Sequence, residues 1–145
     1  MEPHEIRVRL ALYEFEETPE ELTSALGITP DRTFRKGERP VRPPGLPPDP
    51  RVYEYNGWVI ESMLPSEVDD PVDGFEKHVE AVLKRIEPGL EKFTEAAQRC
   101  YCELAVVLEL RPDSEASLPS VAFDKQTLRT LAMIGANIDF DLYVF

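Results

Sequence analysis

The chain has 145 residues, 42% of them apolar and 30% charged, enough for one hydrophobic core and too little for two, so residues 1–145 are expected to form a single domain. Its formal net charge of −12 repels a phosphate backbone, which excludes the basic stripe by which nucleic-acid binders displace counterions. The first residues lack the positive start and apolar run of a signal peptide, and no apolar stretch approaches the roughly 18 residues that span a bilayer, so a cytoplasmic protein with no membrane partner is expected.

Ile6, Val8, Leu10 and Leu12 alternate with Glu5, Arg7, Arg9 and Ala11, the period of two of a strand with one buried face. A helix follows: Thr18 caps it, Pro19 suits the first helical position, Glu21 completes a Thr-x-x-Glu box, and Gly27 stops it in the left-handed conformation that a missing Cβ permits. Between Gly37 and Arg51 the prolines 40, 43, 44, 47, 48 and 50 remove backbone donors, which makes this segment a stiff surface loop. Pro44-Gly-Leu-Pro47 matches P-x-x-P only as proline-dense connectors commonly do. Asn56-Gly57, set between Tyr53-Glu-Tyr55 and Trp58-Val-Ile60-Glu-Ser62, predicts a hairpin in which Tyr55 faces Trp58 and Tyr53 faces Ile60.

From about Pro71 the apolar positions Val72, Phe75, Val79, Val82, Leu83, Ile86, Leu90, Phe93 and Ala97 recur at threes and fours. The stripe stays in phase through Pro88 and Gly89, which predicts a kinked helix or two nearly collinear ones. Asp69, Asp70 and Asp73 suit its start as anions at the positive end of the dipole, and His78, beside the stripe, is expected in solvent. Cys102, Leu104, Val106, Leu108 and Leu110 then share one strand face and Tyr101, Glu103, Ala105, Val107 and Glu109 the other; apolar residues on both faces predict a central strand. Val121 and Phe123 suggest a short strand. Asp124 caps a helix carrying Leu128, Leu131 and Ile134 that stops at Gly135, and Ile138, Phe140, Leu142 and Val144 form the last strand.

A strand, a helix packed back across it and a returning strand form a right-handed parallel unit. The fold class is therefore α+β, a mixed sheet of about five to six strands with helices covering one face. Arg7 and Arg9 on the first strand complement Asp139 and Asp141 on the last, which predicts that these two strands are neighbours.

Four segments together carry a family resemblance. They are Gly27-Ile-Thr-Pro-Asp-Arg-Thr-Phe-Arg-Lys-Gly-Glu38, Gly57-Trp-Val-Ile-Glu-Ser62, the helix through Glu80-Ala-Val-Leu-Lys-Arg-Ile-Glu-Pro88, and Leu131-Ala-Met-Ile-Gly-Ala-Asn-Ile-Asp-Phe-Asp-Leu-Tyr143. In order and spacing they resemble the bacterial domain-of-unknown-function family 4279 over most of the chain. Phe34 stands where that family usually has another aromatic, often Trp, and the proline loop looks like a local insertion. The resemblance implies a compact bacterial α+β domain and carries over no catalytic residues. By analogy with small acidic immunity proteins, it makes binding of a protein partner such as a toxin an expectation.

Catalytic constellations are missing. There is no G-x-S-x-G elbow and no Gly-rich phosphate loop, and His4 and His78 are the only histidines, so no enzyme is expected. Cys100 and Cys102 fit neither a disulfide loop nor a zinc knuckle, and Asp139-x-Asp141 lacks further ligands, so no metal and no cofactor are expected. The residues singled out for binding are Arg32, Arg35 and Lys36, with Arg39 and Arg42 nearby, because clustered guanidinium groups hold carboxylates or phosphates bidentately. Trp58 offers a stacking face and Glu61 an acceptor beside them; the competing use of these arginines is pairing with Glu14, Glu16 and Glu17. The leading expectation is a non-enzymatic protein-binding module of the immunity type, and the alternative is a sensor of a small anionic ligand on the Arg32 to Arg42 segment and Trp58. An enclosed pocket with convergent arginines favours the sensor; an exposed acidic face flanked by aromatics favours the protein binder. The sequence leaves the oligomeric state open.

Overall fold

The structure, a computed structural model, describes residues 4–62, 74–113, 115 and 118–145. Strand β1 spans Glu5–Tyr13, β2 Arg32–Phe34, β3 Gly57–Glu61, β4 Tyr101–Leu110 and β5 Asn137–Val144. Helix α1 spans Pro19–Leu26, α2 Gly74–Ile86, α3 Leu90–Arg99 and α4 Lys125–Ile134. The strands form one mixed sheet in the order β2-β3-β1-β4-β5, antiparallel except for the parallel pair β4–β5 that α4 connects. The fold is α+β, with five strands where about five to six are expected.

One sheet face makes the core. Ile6, Val8, Leu10 and Leu12 of β1, Trp58 and Ile60 of β3, and Cys102, Leu104, Val106 and Leu108 of β4 join the buried stripes of all four helices. Leu22 and Leu26 come from α1, Val79, Val82 and Ile86 from α2, Phe93 from α3, and Leu131 and Ile134 from α4. The helix ends follow their sequence signals. Thr18 Oγ1 accepts the Glu21 N–H and Asp124 Oδ1 the Thr127 N–H, while Gly27 and Gly135 close α1 and α4 at φ 67° and 71°. The long stripe breaks at Pro88 into α2 and α3 through a 3-10 turn, Glu87–Gly89. Gly89 is required there by proximity: a Cβ on it would stand 2.4 Å from the Leu26 carbonyl oxygen at the end of α1.

Four expectations change. β1 and β5 are not neighbours, because β4 lies between them and sets Arg9 and Asp139 on either side of Ala105, and Arg7 and Asp141 on either side of Val107. Two strand spacings, about 9.5 Å, separate the charges, and Arg7 pairs instead with Glu109 of β4 at 2.6 Å. The strand with apolar residues on both faces takes an interior place ahead of any charge match at the edges. The hairpin at Asn56-Gly57 does not form. Residues 53–55 are not a strand, β3 pairs with β1 and β2, and Thr33, not Tyr55, faces Trp58. Val121 and Phe123 lie in irregular chain; Phe123 packs edge-on against Phe75 (5.2 Å) and Phe140 (6.3 Å). His78 is buried at 1% exposure, its Nδ1 2.6 Å from Ser62 Oγ. Asp69, Asp70, Asp73, Pro71 and Val72 lie outside the described residues.

Candidate functional site

The other sheet face carries a different chemistry. Reading across the strands, Phe34, Gly57, Tyr13 and Tyr101 form one row. Arg32, Val59, Ala11, Glu103 and Asn137 form the next, and Glu61, Arg9, Ala105 and Asp139 the one after. Ala11, Val59, Ala105 and Val107 on this face are buried without belonging to the helix-side core. Arg7, Arg9 and Glu61 surround a shallow hollow over Val107, so the stems of long charged side chains shelter the small residues.

At one end of this face the aromatic row gathers tyrosines from three segments. Tyr13 meets Tyr55 edge-on at 5.5 Å and Tyr101 in a stacked pair at 6.4 Å. Phe34 lies over Gly57 and stacks on Tyr53 at 4.1 Å. Asn56 fixes the loop that delivers Tyr55. Its Nδ2 donates to the Phe15 and Glu17 carbonyls (3.2 and 3.1 Å), its Oδ1 accepts the Lys36 N–H (2.8 Å), and its carbonyl accepts the Glu14 N–H (3.1 Å).

Two open concavities result. One, of about 250 Å³, is lined by Tyr13, Glu14, Tyr55, Tyr101 and Glu103. The other, of about 560 Å³, shares Glu14 and Tyr55 and adds Phe15, Glu16, Lys36, Glu54 and Asn56. Glu14 is the one non-glycine residue with positive φ among those described, at 65°, a conformation that costs of order 1 kcal/mol and that persists where the surroundings enforce it. Burial pushes the Glu103 carboxyl above its ordinary value, and the charges of Asp139 and Asp141 add to this against the Tyr101 hydroxyl and Arg9. Burial and then Glu103 also raise Tyr13, against Arg9 and Arg32.

The residues singled out from the sequence fall elsewhere or are otherwise engaged. Trp58 has no exposed surface; it sits on the core face, its Nε1–H donating to Thr23 Oγ1 at 3.1 Å and its ring 6.0 Å from Phe93. The structure therefore does not bring Trp58 to the arginines. Arg32 and Glu61 do share the open face, 3.8 Å apart as an exposed ion pair. Arg35 pairs with Glu20 at 2.5 Å and with Glu38 at 3.8 Å, and Arg42 with Asp49 at 3.4 Å. Asp49 also accepts three bonds from Arg51, whose guanidinium and N–H hold its carboxyl far below the usual range. Lys36 contributes its N–H to Asn56 and borders the larger concavity. The arginine partners are thus Glu20, Glu38, Asp49 and Glu61 in place of Glu14, Glu16 and Glu17.

The sequence does not by itself bring Tyr13, Glu14, Tyr55, Tyr101 and Glu103 together as one site. A signal exists in the alternation of β4, which puts Tyr101 and Glu103 together on the face away from the apolar stripe. No group of three or more acidic, His or Cys side chains among the described residues is arranged to hold a metal, and no helix among them is long and apolar enough to cross a membrane. The family model described as Domain of unknown function (DUF4279) matches residues 4–145, and the chain belongs to that family. No curated protein and no solved structure matches it.

Proposed function

We propose that this member of the DUF4279 family is a non-enzymatic, cytoplasmic protein-binding module that presents its open sheet face to a basic partner. The observation that carries the reading is the tyrosine-walled, acid-lined end of that face. Tyrosines supply rigid contact area with a polar tip, the composition favoured at docking surfaces. Glu14 and Glu103 have no ion-pair partner among the described residues, whereas the arginines of the 32–42 segment that pair do so with other carboxylates. With a net charge of −12, long-range attraction speeds encounter with a cationic surface. The reading extends to masking of the immunity type, in which the acidic face covers the basic working surface of a toxin. The alternative, an anion sensor on Arg32 to Arg42 and Trp58, draws no support from a segment whose Arg32, Arg35 and Arg42 carry carboxylate partners and whose tryptophan is buried on the opposite face.

The test is affinity capture from the native host with the wild-type chain, Glu103→Lys and Arg35→Glu. A basic protein held by wild type, released by raising the salt from about 0.05 to 0.3 M, lost with Glu103→Lys and kept with Arg35→Glu supports the proposal. Capture that depends on Arg35 and ignores Glu103 refutes it.

A further inference from the structure

We infer that the concavity walled by Tyr13, Tyr55 and Tyr101 and flanked by Glu14 and Glu103 seats the ammonium group of a lysine side chain carried by the partner; this rests on the docking reading above. Size limits the occupant first. At about 250 Å³ the hollow falls below the roughly 300 to 1,000 Å³ of pockets that enclose drug-sized ligands, so it takes the tip of a side chain.

Chemistry limits it next. The lining consists of tyrosines and glutamates alone, and no cationic side chain borders it. Aromatic ring faces carry negative potential and attract cations, most effectively when several rings surround the charge. The two glutamates add carboxyl groups without ion-pair partners among the described residues; Glu103 lies in the field of Arg9 and receives one hydrogen bond there, from the Tyr101 hydroxyl to Oε2 at 3.2 Å. Arg9 and Arg32 act on Tyr13 from outside the hollow. An anionic ligand would meet two carboxylates, and the lining side chains offer its acceptors phenol hydroxyls alone, one of which Tyr101 already gives to Glu103.

Among cations, the geometry favours an ammonium over a guanidinium. A guanidinium binds best to both oxygens of one carboxylate, and at Glu103 one acceptor site of Oε2 is taken by the Tyr101 hydroxyl. An ammonium directs three donors separately and can share them between two glutamates and a phenol oxygen while its methylenes lie against the rings. The left-handed backbone of Glu14, clamped by the Asn56 carbonyl, fixes the point at which one flanking side chain leaves the chain before the ligand arrives.

The probes are the peptide acetyl-Gly-Lys-Gly-amide, its Nε-acetylated form and its arginine counterpart, each titrated into the isotopically labelled chain by NMR. The lysine peptide should shift Tyr13, Tyr55, Tyr101 and Glu103 saturably, and the acetylated peptide, which keeps the stem and loses the charge, should bind about tenfold more weakly or less. Glu103→Gln and Tyr55→Leu should each weaken the lysine peptide about fivefold or more while the rest of the spectrum keeps its dispersion. Tyr55 lies on a loop and is 39% exposed, so its variant reports on binding even if the strand variant is perturbed. Equal binding of the acetylated peptide, tighter binding of the arginine peptide, or shifts confined to other surfaces overturn the assignment. If the lysine peptide fails while Glu103→Lys still abolishes partner capture, the ammonium seat is wrong and the docking face stands; if both fail, the docking face falls as well.

Discussion

Replacing Gly57 by alanine should destabilise the chain through a single contact. A Cβ on Gly57 would lie 2.1, 2.3 and 2.5 Å from three atoms of the Phe34 ring, against a relaxed carbon separation of about 3.5 Å. The ring must retreat by about 1.4 Å, which disturbs its stack on Tyr53 at 4.1 Å and its contact with Tyr13 at 6.0 Å. Overpacking of this kind costs about 1 to 3 kcal/mol and each aromatic pair is worth about 0.5 to 1.5 kcal/mol. Phe34 is only half-buried and can swing toward solvent, so the net cost should be about 2 kcal/mol. For a chain of this size that lowers Tm by about 6 °C. A double-mutant cycle isolates the cause: in a Phe34→Ala background, Gly57→Ala should cost less than about 0.5 kcal/mol. The measurement is thermal and urea unfolding followed by circular dichroism. An equal cost in both backgrounds would refute the argument, because it would mean that the backbone of Gly57, as in a hairpin turn, sets the requirement.

Two further outcomes follow from the open face and the strand beside it. Burial and the neighbouring aspartates raise Glu103 above its ordinary 4.5, so its contribution to stability is full below that value and is lost as pH rises through the native one. Glu103→Gln should therefore raise Tm at neutral pH, with the gain closing in acid, while it weakens binding; a variant less stable at pH 7 contradicts the charge environment described. Burial pushes the Cys102 thiol up to about 12 and the Cys100 thiol up to about 11, so both are protonated at about pH 8 and should react slowly with a disulfide reagent until denaturant exposes them. Prompt native-state release of two thiol equivalents would contradict this.

The features legible in the sequence were those set by near neighbours in the chain. Thr18 and Gly27, Asp124 and Gly135, and the break at Pro88 each depend on hydrogen bonds or steric limits within one or two turns. The alternation of β1, β4 and β5 was equally local, as was the parallel return through α4. What failed depended on partners distant in sequence. The Asn-Gly pair resembled a turn, but Asn56 cross-links three loop segments and Gly57 makes room for a ring from β2. Opposite charges on β1 and β5 suggested a ladder, yet they leave open which strand intervenes. Trp58 and His78 look equally suited to surface or core until Thr23 and Ser62 are found beside their ring nitrogens. The tyrosine site is not legible in the sequence because its members come from β1, β4 and a loop that only the finished sheet brings together.

The central place of β1 bears on how the chain reaches its native state. Its two partners, β3 and β4, begin at Gly57 and Tyr101, so Ile6, Val8, Leu10 and Leu12 emerge from the ribosome long before either neighbour exists. Closing such long intervals slows acquisition of structure into the millisecond-to-second range of non-local β topologies. During that interval an apolar strand with both edges free is a natural substrate for chaperone capture, and the β4–α4–β5 unit, contiguous in sequence, is the piece able to assemble quickly once synthesis has passed it.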